Sequence, residues 1–127
     1  MLTELQQKRS LMIILFTVEE VALKGSFFYL KVPYGEEKIL KALALRGYSC
    51  LSHIEVKKDS GWVISPDGKT SSIISINDLE YIDDETLHVY YDKYTDPESG
   101  SGGGYTIKLV DNATKCEFIE DEMRYDS

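Results

Sequence analysis

Residues 86 to 110 read TLHVYYDKYTDPESGSGGGYTIKLV, two alternating segments on either side of a glycine-rich stretch. How that stretch is read decides the fold. From Thr86 to Tyr94, Leu87, Val89 and Tyr91 fall on one face at period two, with His88, Tyr90, Asp92 and Tyr94 on the other. That is the pattern of a half-buried strand. Tyr105 to Val110 reads as a second strand. Between them, four of the chain's nine glycines occupy Gly100, Gly102, Gly103 and Gly104.

A dinucleotide-binding loop needs G-x-G-x-x-G after a strand and ahead of a helix. Here Tyr105 stands where the third glycine belongs, and a strand follows, so no helix amino terminus is available to hold a phosphate. No Gly-Lys-Ser/Thr triplet occurs either. Residues 99–104 therefore read as a mobile hairpin loop, of a composition shared with engineered Gly-Ser joins.

Working back towards the start, Thr3 and Gln6 form a capping-box pattern, which opens a helix expected over 3–24. Leu5, Met12, Leu15, Val18 and Ala22 are its expected apolar positions, and Gly25 its stop. The run LMIILF at 11–16 competes as a buried strand, but the start and stop signals favour helix. Residues 26–32 (SFFYLKV) read as a strand ending at Pro33. Residues 35–46 read as a second helix, with Glu36 and Glu37 in the first turn and Gly47 at the end. Beyond it a period-two pattern places Tyr48, Cys50, Ile54 and Val56 on one face of a strand. Turns at DSG 59–61 and PDGK 66–69 separate it from strands at Trp62–Ser65 and around Ile73, Ile74 and Ile76.

The expected architecture is α+β in one domain spanning 1–127. N-terminal helices pack on a mainly antiparallel β-meander of about five to seven strands over 48–119. KCEFI at 115–119 is its short last strand, and 120–127 is a frayed acidic tail.

Charge is unevenly spread. The chain carries a net −8, but residues 1–76 sum to +2 and residues 77–127, with four basic against fourteen acidic side chains, to −10. Such a half repels nucleic acid and anionic membrane and attracts basic surfaces. The apolar run Leu11–Val18 is too short to span a bilayer and lacks a small-residue cleavage signal, so the expected location is cytoplasmic. Cys50 and Cys116 form no CxxC pair and read as reduced thiols, although spacing alone leaves a bridge open.

Cys50, His53, His88 and Cys116 are the residue types of a zinc site, but only as one C-x-x-H and two singletons, and no metal or other cofactor is expected. No nucleophile motif is present, and the expectation is a non-enzyme. The polar face of 86–94 is too polar for a core and too aromatic for an indifferent surface. Together with the IDDET turn and the rim of the glycine-rich loop it nominates Asp83, Asp84, Glu85, His88, Tyr90, Asp92, Tyr94, Asp96 and Glu98 as a surface for a basic protein partner. The expected function is a small protein-binding inhibitor. It takes the form of an immunity protein or antitoxin for a basic nuclease toxin, or of a phage-type mimic of nucleic acid. The alternative is a self-associating structural or adaptor module; a small enzyme without a recognisable motif ranks below both.

Overall fold

The computed structural model describes residues 3–51, 55–57, 61–66, 68–96 and 99–126. The capping box at the start is formed as the sequence implies. The Gln6 N–H donates to Thr3 Oγ1 at 3.1 Å, and the Thr3 N–H donates to Gln6 Oε1 at 2.9 Å. These two bonds satisfy amide donors that a helix start otherwise leaves without partners. Helix α1 runs Glu4–Val21 and stops three residues short of the expected 24, with Ala22 as its cap. Its buried stripe is Ser10, Ile13, Ile14, Leu15, Thr17 and Val18, whereas Leu5 is 55 % exposed. Leu15, Val18 and Ala22 of the expected stripe are buried, and Ile13 and Ile14 join them beyond it, because LMIILF is apolar all round and does not declare its inner face.

Strand β1 (Phe27–Lys31) leads into helix α2 (Glu36–Leu45), which buries Ile39 and Leu43. Strand β2 (Ser49–Leu51) then returns parallel to β1, with Phe28 opposite Cys50. The single strand expected through Tyr48 and Val56 is divided. β3 (Glu55–Lys57) pairs instead with β4 (Trp62–Ile64) in a separate two-stranded hairpin, and Ile54 lies outside the described residues.

β5 (Ser72–Tyr81) joins the other side of β1, again parallel. From there β6 (Thr86–Asp96), β7 (Ser99–Val110) and β8 (Lys115–Asp126) add as an antiparallel meander. The main sheet has six strands in the order β2-β1-β5-β6-β7-β8. The class is α+β, as expected, with two parallel pairs: β1 with β2 across the α2 crossover, and β1 with β5.

Two expectations are overturned in the meander. Residues 99–104 are not a loop but the first half of β7. Gly102 lies opposite Asp92 on one side and Tyr125 on the other, and Gly104 opposite Tyr90 and Glu122. Gly102, Gly103 and Gly104 are all buried. Residues 120–126 are likewise not a frayed tail, because β8 continues along β7 as far as Asp126. Two ladders hold the glycines in place, and the long glycine-containing strand in turn gives the acidic end something to pair with.

The helices cover one face of the sheet. α1 lies against β5, β6 and β7, and a single core joins Ile14, Phe28, Leu43, Ile74, Val89 and Ile107. On that face Lys93 reaches the carboxyl end of α1 and donates to the Val21 carbonyl at 3.0 Å, where the helix dipole favours a cation. Its half-burial lowers the Lys93 pKa by desolvation. Among the described residues, no helix lies on the opposite face.

Candidate partner-binding face

Residues directly opposite in an antiparallel ladder point to the same side of the sheet. Burial identifies the sides: Leu87 and Val89 are fully buried and Tyr91 is 4 % exposed, so His88, Tyr90, Asp92 and Tyr94 project from the helix-free face. The four form one line along β6. Flanking them by register are Glu80 and Asp78 on β5, opposite His88 and Tyr90. On β7 they face Thr106, Gly104, Gly102 and Gly100, and β8 brings Glu120 opposite Thr106 and Glu122 opposite Gly104.

The glycines shape this surface. With no side chain at Gly104, the rings of β6 lean across β7. The His88 and Tyr90 rings meet edge-on with centroids 4.5 Å apart. The Thr106 hydroxyl holds His88 Nδ1 at 2.8 Å. His88 Nε2 is buried without a hydrogen-bond partner among the described residues and faces Glu122 Oε2 at 3.8 Å. At the middle of the strand, Asn77 sits in a bulge of β5 and donates its amide to Asp92 Oδ2. Asp78, Glu80, Glu120 and Glu122 around this line are exposed. Towards the far end Tyr94 donates its hydroxyl to the Gly61 carbonyl at 2.7 Å, so the β3–β4 hairpin rests there.

The nominated residues therefore separate into two places. His88, Tyr90, Asp92 and Tyr94 share one face. Asp83, Asp84 and Glu85 form the β5–β6 turn, about 30 Å from Tyr94 along a strand that rises roughly 3.4 Å per residue. That turn is structurally occupied. Asp83 Oδ1 accepts the Glu85 N–H at 2.9 Å, a bond that holds its carboxyl below the usual range. Arg9 Nη1 donates to the Asp84 carbonyl at 2.8 Å, and the Leu109 N–H donates to the Glu85 carbonyl at 2.8 Å. Asp96 closes β6 opposite Ser99, and Glu98 lies outside the described residues.

The carboxylates that do neighbour the tyrosines escaped the sequence reading. Asp78 and Glu80 were not nominated, and Glu120 and Glu122 fell in the supposed tail. A period-two count through 118–122 would have been the only signal for the latter pair, and Ile119 interrupts it as an extra residue between Phe118 and Glu120.

Cys50 on β2 and Cys116 on β8 stand at opposite edges of the sheet as free thiols. His53 lies outside the described residues, and among the described residues no three of His, Cys, Asp or Glu gather to hold a metal. Nor is any described helix long and apolar enough to cross a membrane.

Comparison with protein-family models, with curated proteins and with solved structures finds no match to this chain. The class defined by fold and surface is an α+β protein with one helix-covered and one acidic, tyrosine-bearing sheet face.

Proposed function

We propose that the chain is a small cytosolic inhibitor that binds a basic protein, in the manner of an immunity protein or antitoxin facing a nuclease toxin, or of a nucleic-acid mimic. One observation carries the reading. Strands β5, β6 and β8, with the glycine-bearing β7 between the last two, present Asp78, Glu80, Asp92, Glu120 and Glu122 around His88, Tyr90 and Tyr94, on a face that no described helix covers. A nuclease cleft is basic because it holds phosphates, and spaced carboxylates between aromatic rings match it in charge and supply contact area. The glycines of β7 contribute by leaving backbone, rather than side chains, between the acidic rows.

The test is kinetic. The partner recovered with this chain from its native cell should associate at a rate that falls steeply as salt rises, because steering acts through the summed field. Asp92→Asn combined with Glu80→Gln should slow association about tenfold at low salt and leave the fold intact. An association rate indifferent to ionic strength removes the electrostatic reading. The competing reading, an adaptor that self-associates through a strand edge, has the uncovered edge of β8 in its favour, and a dimer burying that edge would select it.

A further inference from the structure

The two edges of the main sheet are unlike. β2 exposes an edge of only three residues, which is itself a protection against unwanted pairing. β8 is twelve residues long and, among the described residues, pairs only with β7. Along its outer side lies a row of backbone N–H and C=O groups able to accept another strand. Glu117, Phe118, Ile119, Glu120, Asp121 and Glu122 are all exposed. Register places Glu117, Glu120 and Glu122 on the helix-free side, opposite Lys108, Thr106 and Gly104, and Phe118 on the other, opposite Ile107.

These side chains decide what the edge can accept. A second copy pairing antiparallel about the centre of 117–122 would set Glu117 against Glu122, and like charges directly opposite destabilise a ladder. A strand with Lys or Arg at alternate positions meets the same carboxylates with opposite charge, while its intervening apolar residues lie beside Phe118, which is 40 % exposed. Over 117–122 the edge is thus guarded against its own kind and open to a basic one.

We propose that the outer edge of β8 takes an extended basic segment of a partner protein as a seventh strand of the sheet. This rests on the reading of the chain as a binder of basic proteins, but places recognition on backbone hydrogen bonds at the edge as well as on the β6 face. Main-chain bonds supply affinity, and the alternating Glu117, Glu120 and Glu122 supply selection.

The probe is a short synthetic peptide of alternating lysine and valine, titrated into the full chain with amide resonances observed. Saturable shifts confined to residues 115–122 are expected. Binding should weaken about tenfold or more when alternate peptide nitrogens are methylated, which removes ladder donors and keeps the charge. A glutamate–valine peptide should not bind, and Glu117→Lys with Glu120→Lys should abolish binding of the lysine peptide. Equal binding of the methylated peptide would reduce the contact to bare charge and overturn the proposal, as would shifts centred on Tyr90 and Asp92 instead. Sedimentation showing that the free chain already pairs through β8 would overturn it too. Salt-dependent capture of the native basic partner, alongside no peptide binding at β8, overturns the edge inference and leaves the β6-face reading standing.

Discussion

The His88 imidazole fills the space that a side chain at Gly104 would need. A Cβ built there would stand 2.7 Å from His88 Nε2 and 3.2 Å from the Val89 carbonyl oxygen. In an unconstrained strand, replacing glycine by alanine stabilises by roughly 0.5–1 kcal/mol through lost chain freedom. Here the contact reverses the sign. Gly104→Ala should destabilise by about 1–3 kcal/mol, the usual scale of overpacking, seen as a lower urea midpoint at unchanged slope. Adding His88→Ala should restore about 1 kcal/mol of that loss as coupling between contacting residues. A neutral or stabilising Gly104→Ala would mean that the imidazole does not lie across β7.

The helix layer is tied to the sheet by Tyr81. Its hydroxyl donates to the Gln6 carbonyl at 2.5 Å and lies 2.6 Å from the Oγ of Ser10, which is fully buried. Tyr81→Phe keeps the ring and removes both bonds, so a loss of about 1–2 kcal/mol is expected. Chemical denaturation measures it, and an unchanged midpoint would show that the hydroxyl is satisfied equally well by water.

Cys50 tests the burial of the β2 edge through pH. Desolvation pushes its thiol from 9.0 up to about 11. Near pH 8 its alkylation by iodoacetamide should run about a hundredfold slower than that of the unfolded chain, since only thiolate reacts. Because the folded value is raised, the folded state holds the proton more tightly. The associated stability is complete below pH 9 and is lost as pH climbs towards 11. Cys50→Ala should flatten that limb of the stability curve. Denatured without reductant, the chain should titrate two free thiols, since the cysteines lie at opposite edges of the sheet.

Where side chains kept their period, the sequence was readable. Leu87, Val89 and Tyr91 are inside and His88, Tyr90, Asp92 and Tyr94 outside, as alternation implies. Three causes hid the rest. Glycine carries no facial information, so residues 99–104 resemble a linker in composition, and the signal that they form a strand resides in the rings of His88 and Tyr90 across the ladder. The bulge at Ile119 shifts the alternation of β8 by one, which made an acidic strand look like an acidic tail. And β2, at three residues, is too short to show a period, so the parallel crossover beside β1 left no trace in the pattern. The acidic half was legible as charge, but its distribution over β5, β6 and β8 is a property of register.

The pairing of the glycines is open to direct measurement, and more hangs on it than on any other element. If β7 begins at Ser99, the amides of Gly102, Gly103 and Gly104 point alternately into the β6 and β8 ladders. They should then exchange with solvent as slowly as Thr106 and Ile107, at least about a thousandfold slower than in the unfolded chain, because release requires the meander to open. A mobile Gly-Ser join would exchange at the unfolded rate. In that event the acidic residues 120–126 would lose the strand against which they pair. Glu120 and Glu122 would then leave the neighbourhood of Tyr90, and both the partner-binding face and the β8 edge would have to be abandoned. Slow exchange at all three glycines keeps the carboxylates of β8 beside the rings of β6, the arrangement on which recognition of a basic partner depends.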